Sequence, residues 1–107
     1  MTVRSSHLAG PFNLASGTNE VLLAPDGHHY VIRSFWIHND SGSARTVGIM
    51  LNDDSTTKRM WRAAIAAGDN VIIDSWWVLN PGDEILVNTT GTGPIVTVFG
   101  ADLVDPD

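Results

Sequence analysis

The chain has 107 residues, no cysteine and a formal net charge of -6, from six Lys and Arg against twelve Asp and Glu. That length suits one domain, and the missing cysteine excludes a disulfide framework, a thiol nucleophile and any cysteine-ligated metal. The acidity is a poor match for a polyphosphate backbone, so nucleic acid is not an expected partner.

Hydrophobic residues make up 43% of the chain and charged residues 17%, a globular composition and not a disordered one. The opening MTVRSSHLAG has one arginine and no apolar run, so it does not read as a signal peptide. No stretch approaches the ~20 apolar residues of a membrane span. The expectation is a soluble protein, made in a cytoplasm, with no membrane partner.

In chain order, residues 1–19 come first and differ in kind from the rest. Ser, Gly, Thr and Asn dominate, with Leu8, Pro11, Phe12 and Leu14 as isolated apolar points. Such a segment buries little by itself, so it is expected to be an extended N-terminal arm, docked through Leu8, Phe12 and Leu14. Two destinations are open to it: its own domain or a neighbouring subunit. The domain proper is expected over residues 20–107.

From Tyr30 to His38 the chain is apolar on both faces of a strand. Val31, Phe35 and Ile37 fall on one, and Tyr30, Ile32 and Trp36 on the other. A strand of that kind is covered twice, either at the centre of a sheet or at a subunit contact. Between Ala44 and Leu51, Val47, Ile49 and Leu51 alternate with Ala44, Thr46, Gly48 and Met50. The segment KRMWRAAIAA, residues 58–67, has the Ala and Arg of a helix, yet Trp61, Ala63 and Ile65 alternate with Met60, Arg62 and Ala64, which favours a strand. In Asn70 to Leu79 the odd positions Val71, Ile73, Trp77 and Leu79 should point inward around Ser75, and Ile85 and Val87 continue the inward pattern.

Turn residues separate these runs: Pro25-Asp26-Gly27, Asn39-Asp40-Ser41-Gly42, Asn52-Asp53-Asp54-Ser55, Gly68-Asp69-Asn70, Asn80-Pro81-Gly82-Asp83 and Gly91-Thr92-Gly93-Pro94. Short strands at such spacing are the pattern of an all-β sandwich or barrel.

No residue set has the spacing of an active site. His28 and His29 are adjacent, so an extended strand points them to opposite faces; His38 closes a strand and His7 lies in the arm. Asp53-Asp54 and Asp83-Glu84 sit in turns, where Asp caps the backbone and stays solvated. The Asp53-Asp54-Ser55 tip lacks the alternating ligands and the glycine of a calcium loop. There is no Gly-x-Ser-x-Gly nucleophile motif. No catalytic residue, metal or cofactor is expected.

Tryptophan is the informative residue. Four are present, Trp36, Trp61, Trp76 and Trp77, and burying one ring is worth about 4 to 6 kcal/mol gross. If Trp77 joins the core, Trp76 must face away, and Trp36 likewise lies opposite Phe35 and Ile37. An outward indole coats a sheet under a loop, meets another subunit or stacks on a ligand such as a glycan. Interfaces enrich Trp and Arg together. The expected contacts between subunits are therefore Trp36, Trp76, Arg33 and Arg62.

The succession from Glu20 to Leu103 also carries a resemblance. It runs through Val21-Leu22-Leu23-Ala24-Pro25-Asp26-Gly27, Val31-Ile32-Arg33-Ser34, Asn39-Asp40-Ser41-Gly42-Ser43-Ala44, Ile65-Ala66-Ala67-Gly68-Asp69, Val78-Leu79-Asn80-Pro81-Gly82-Asp83 and Val96-Thr97-Val98-Phe99-Gly100. This resembles the small β-sandwich proteins encoded among the virion genes of tailed bacteriophages. The shared motifs are turn chemistry and not active-site chemistry; the arm and the Trp76-Trp77 pair fall outside them. The resemblance implies a structural role on the particle as a symmetric oligomer.

The combined expectation is a single antiparallel β-sandwich of jelly-roll type, all-β, with an N-terminal arm. Its expected function is a non-enzymatic virion protein, a capsid decoration protein that binds and stabilises the assembled head. The expected partners are further copies of itself, as a homotrimer, and the major capsid protein. The alternatives are a tail- or fibre-associated receptor-binding module and a carbohydrate-binding sandwich.

Overall fold

A computed structural model describes residues 2–53 and 55–105, with side chains from Leu8 onward. The strands are β1 (Thr2–Asn13), β2 (Gly17–Leu23), β3 (His28–Asn39), β4 (Arg45–Asp53), β5 (Thr56–Ile65), β6 (Asn70–Leu79), β7 (Glu84–Thr89) and β8 (Pro94–Val104). They form two antiparallel sheets, ordered β1-β8-β3-β6 and β2-β7-β4-β5. β1 pairs with β8, β2 with β7, β3 with β6 and β4 with β5. The chain is thus one long hairpin folded back at the β4–β5 turn. The β3–β8 and β4–β7 pairings then roll that hairpin into two layers, which is jelly-roll winding.

Alternation decides the core. Ile32, Phe35, Ile37, Leu79, Val96 and Val98 from one sheet meet Leu22, Val47, Ile49, Ile65, Ile85 and Val87 from the other, all buried. In β6, Ser75 and Leu79 are buried and Val71, Ile73 and Trp77 half-buried, while Ile72, Asp74, Trp76 and Val78 are exposed. Residues 56–65 form a strand despite their alanines, because extended backbone places Trp61, Ala63 and Ile65 inward and leaves Met60, Arg62 and Ala64 out. A helix would scatter those apolar groups around its circumference.

β3 departs from simple alternation. Its register against both β6 and β8 shifts between Ile32 and Ser34, leaving Arg33 as an extra residue opposite β8. Such a bulge exchanges the two faces of a strand from that point on. Ile32 therefore joins Phe35 and Ile37 in the core, where strict alternation had grouped Val31 with them; Val31 is only half-buried. Gly100 lies opposite the bulge, paired with Ile32, and a Cβ there would run into the carbonyl oxygen of Val31. Only glycine admits so close a backbone approach. β3 is the central strand expected, flanked by β8 and β6.

The N-terminal segment does not stand off as an arm. β1 is an edge strand paired with β8 from Thr2 to Asn13, and the expected boundary at residue 19 falls inside β2. The backbone ladder, and not apolar content, holds it: the strand needs few large side chains because β8 offers a full row of N–H and C=O partners. Of the two destinations considered, its own domain is the one found.

A buried amide joins the layers at one corner. Asn39, at the end of β3, is fully buried, and its Nδ2 donates to Ser43 O at 2.9 Å, Ile65 O at 2.9 Å and Ala66 O at 3.3 Å. Its Oδ1 accepts from Ser41 N at 3.1 Å and Ser41 Oγ at 2.7 Å. Its main chain pairs with Asp69 O and Gly68 N. The end of β3, the 41–43 turn and the end of β5 converge on this one side chain. Asp83 plays a smaller version of the part, accepting from Asn80 N at 3.0 Å; it is buried, where a solvated turn carboxylate was expected.

Asn39→Ala takes the side-chain donor from the buried Ile65 carbonyl, while Ala66 O keeps Asp69 N and Ser43 O keeps Ser41 Oγ; it is expected to lower unfolding free energy by about 1 to 3 kcal/mol, with urea denaturation as the measurement. A value below about 0.5 kcal/mol would show that water replaces the amide at no cost. Tyr30, the only tyrosine, provides a second check. Burial first, and the Asp102 carboxylate second, hold its phenol above the ordinary 10.0. A raised folded pKa means its contribution to stability is intact below about pH 10 and is lost as pH rises through the folded value. Ultraviolet titration should find its midpoint above that of the urea-unfolded chain, and Asp102→Asn should move it part of the way back.

Candidate functional site

The outer face of the β1-β8-β3-β6 sheet carries four of the five most exposed large apolar side chains among the described residues, Leu23 on β2 being the other. Trp76 is 71% exposed, Ile72 69%, Val78 51% and Trp36 47%. Three of these four lie on β6, an edge strand of the sheet. Trp36 is paired across the strands with Ile72, and Val31 with Val78. The four thus make one surface and not scattered points. Contiguous apolar exposure on this scale marks an interaction surface, whereas a single exposed apolar side chain does not.

The β3 bulge completes it. Arg33, the residue left unpaired opposite β8, has its side chain on this face, where the guanidinium carbon lies 5.1 Å from the centroid of the Trp76 ring. A cation over an indole face is attracted by the ring quadrupole, worth about 0.5 to 1 kcal/mol when exposed and more when water is excluded. Trp77, the next residue, points the other way and packs on Phe35 with ring centroids 5.3 Å apart and planes at 54°. The period of two separates the two indoles, one for the core and one for the surface.

Beside Trp36 the face dips into a shallow groove with walls formed by Pro11, Ile95 and Thr97 and with His38 and Asn70 at its end. His38 Nδ1 donates to Asn70 Oδ1 at 2.7 Å, and its Nε2 is 3.7 Å from Asp40 Oδ1. The other described histidines are also held by carboxylates or amides. His28 Nδ1 is 2.9 Å from Asp102 Oδ1, and His29 contacts Asn80 Oδ1 at 3.2 Å and Asp105 Oδ2 at 3.3 Å. Among the described residues, no group of three His, Cys, Asp or Glu side chains is placed to hold a metal ion. The Asp53-Asp54-Ser55 tip includes Asp54, which lies outside the described residues.

Of the four residues expected to meet another subunit, the fold brings three together. Arg33, Trp36 and Trp76 share the aromatic face. Arg62 is on β5, in the opposite sheet, with its side chain on that sheet's outer face. Two of the three residues expected to dock an arm face their own domain, Leu14 buried in the core and Leu8 packed against it, whereas Phe12 is exposed at the sheet edge. Ile72 and Val78 lie on the even face that alternation turns outward, as expected, but they were not among the contact residues expected there. Their alternation with Val71, Ile73 and Leu79 was the signal, since the same rule that buries the odd positions exposes the even ones.

No family model and no curated protein matches this chain. Solved structures do share its fold. A chain of the T13 IBDV viral particle superposes with a TM-score of 0.64 at 10% identity over 96% of this chain, which spans 31% of that one. A subunit of the disulfide-linked pili that form Bacillus endospore appendages gives 0.62 at 8% identity, covering 98% of this chain and 90% of the other. The Drosophila NLP core, described in terms of pentamer formation and histone binding, gives 0.50 at 14% identity over 94% and 97%. At these identities the likeness is one of fold.

Substitution separates the two neighbouring indoles. Trp77→Ala removes a core contact and is expected to cost about 3 to 5 kcal/mol of stability. Trp76→Ala should stay within about 1 kcal/mol, the size of its stacking with Arg33. Thermal or urea unfolding of the two variants reads the difference, and equal losses would contradict the face assignment.

Proposed function

We propose that this protein is a non-enzymatic structural subunit of a viral particle. The carrying observation is the aromatic face: a jelly roll that exposes Trp36, Ile72, Trp76 and Val78 on one sheet, capped by Arg33. Tryptophan and arginine are the residues that dominate binding energy at protein contacts. Jelly rolls recur in viral capsid proteins and lectins, and the three structural neighbours come from a viral particle, pili and a pentamer-forming protein. That fold, that surface and the virion resemblance support one reading, a domain that works as one copy among many.

In its finer form the reading is a capsid decoration protein. Copies associate through Arg33, Trp36 and Trp76, as a homotrimer suited to a site of local threefold symmetry on the shell. A protein that binds the assembled shell and not free coat subunits stabilises the shell by linkage. Leu8 and Leu14 act within the subunit and Phe12 at its edge. The linkage named for the pili is closed to this chain, which has no cysteine. The glycan alternative is weakened because Arg33 already occupies one face of the Trp76 ring, the platform a sugar would use.

Two measurements test this. Sedimentation equilibrium of the purified protein should give an oligomer that Trp36→Ser with Trp76→Ser converts to folded monomer; a wild-type monomer at micromolar concentration overturns the subunit contact. An antibody against the chain should label the heads of purified particles. Labelled tails would replace decoration with the tail-associated role, and unlabelled particles would overturn the virion reading.

A further inference from the structure

The face of the other sheet has a different chemistry. β5 carries Lys58, Arg59 and Arg62, half of the six positive side chains in a chain of net charge -6. Arg59 and Arg62 are three residues apart, a spacing that an unbroken strand would send to opposite faces. The β4–β5 register shifts between Ile49 and Met50, whose partners are Trp61 and Arg59, so Met60 is an extra residue. That bulge turns both arginines to the outside, Arg62 opposite Gly48 and Arg59 opposite Met50, and keeps Trp61 inward against the core.

Between them lies a concavity of about 160 Å³. Gly48 is its floor; a Cβ there would sit 3.9 Å from Arg59 Nε and 4.0 Å from Arg62 Cγ. Thr46, Thr90, Asn88 and Thr18 complete the wall away from β5. The hydroxyl groups are already polarised. Thr90 Oγ1 accepts from Thr46 N at 3.1 Å, and Thr18 Oγ1 accepts from Asn88 Nδ2 at 3.1 Å, so each has its O–H left to donate. The arginines are equally uncommitted. Arg45 donates to Thr92 O at 2.9 Å and Arg33 stacks on Trp76, whereas among the described residues neither Arg59 nor Arg62 has an ion pair or a hydrogen bond. The acidic groups of this face lie elsewhere: Glu84 accepts from Asn52 Nδ2, and Glu20 is on β2, at the far end of a row through Leu86 and Met50 to Arg59.

We propose that the Arg59–Arg62 basin binds a tetrahedral oxyanion, a sulfate or phosphate group. Two uncommitted arginine side chains and two free hydroxyl donors line one small space, more donors than the two oxygens of a carboxylate can use. Charge-assisted bonds of this kind are the strong ones, and a planar fork matches two oxygens of one group. The site is separate from the aromatic face and independent of the virion reading. Its ligand is either the free ion or an ester on a larger molecule.

The test is titration of the full chain, followed by amide resonances in NMR. Inorganic sulfate and phosphate should shift Gly48, Asn88 and Thr90 saturably in the millimolar range, with acetate at equal ionic strength at least about tenfold weaker. Arg59→Gln with Arg62→Gln should abolish the saturable shift, while Arg45→Gln should leave it unchanged. Gly48→Ala raises the floor at ordinary contact distances, so the chain should stay folded and bind severalfold more weakly. Tighter binding of methyl phosphate than of inorganic phosphate assigns an esterified source, and the reverse assigns the free ion. The proposal is overturned if chloride reproduces the shifts, or if the double glutamine variant, folded by the same spectra, titrates like the wild type.

Discussion

Because strand side chains alternate with a period of two, one extra residue anywhere in a strand exchanges its faces from that point on. β3 contains such a residue, relative to β8, at Arg33. Ahead of it Ile32 points into the core; beyond it Phe35, Ile37 and Asn39 do. Without the bulge, a strand in phase with Ile32 would send Phe35 outward and draw Trp36 into the sandwich. The aromatic surface, the core beneath it and the buried amide at the corner therefore rest on one local irregularity. Glycine at position 100 makes room for it, since the Val31 carbonyl occupies the place of a side chain.

The second bulge, at Met60, does comparable work in the other sheet. It puts Arg59 and Arg62 on the same side of β5 while leaving Trp61 against the core. The sandwich thus has two outer faces of unlike chemistry. One is apolar and aromatic, with a cation resting on an indole; the other is polar, with two cations around a glycine floor. Bulges also disrupt the ladder that an edge strand offers to passing strands. β5 and β6 are both edge strands and both irregular at their middle. On β5 the same extra residue that aims the arginines, Met60, therefore also discourages indiscriminate edge pairing.

Period-two patterns were legible wherever a strand keeps its own alternation through the register shifts of its ladders. β4, β6 and β7 could be read residue by residue, down to the choice of Trp77 over Trp76 for the core. The strand of residues 56–65 was legible too, because Trp61, Ala63 and Ile65 keep their alternation despite the bulge before them. β3 was legible as a doubly apolar strand, but Ile32 could not be assigned to the core, since a bulge is a property of the pairing and leaves no mark on the strand's own composition. β1 was hidden for a related reason. Its Ser- and Gly-rich sequence lacks a hydrophobic pattern, and its strand character comes from β8, more than eighty residues away in the chain. Arg62 was placed with the tryptophans because sequence shows which side chains point outward and not which sheet they belong to. Turn chemistry fared better, as with the Gly68 and Gly82 corners, where φ values of 78° and 93° need glycine.

The corner at Asn39 links the two outer faces mechanically. It ends β3, which bears Arg33 and Trp36, and its amide holds the Ile65 and Ala66 carbonyl oxygens where β5, which bears Arg59 and Arg62, comes to an end. An apolar side chain of similar volume would fill the space but take the side-chain donor from Ile65 O and leave Ala66 O with only its bond from Asp69 N, and any slip between the sheets would cost little. The amide has directional partners on both sides, so a slip breaks several hydrogen bonds together. Anything bound to the aromatic face is thereby held at a fixed distance and angle from anything bound in the arginine basin. In the assembly proposed above, that fixed relation would matter more than the strength of either contact, because only a rigid relation between two surfaces repeats from copy to copy in a closed assembly.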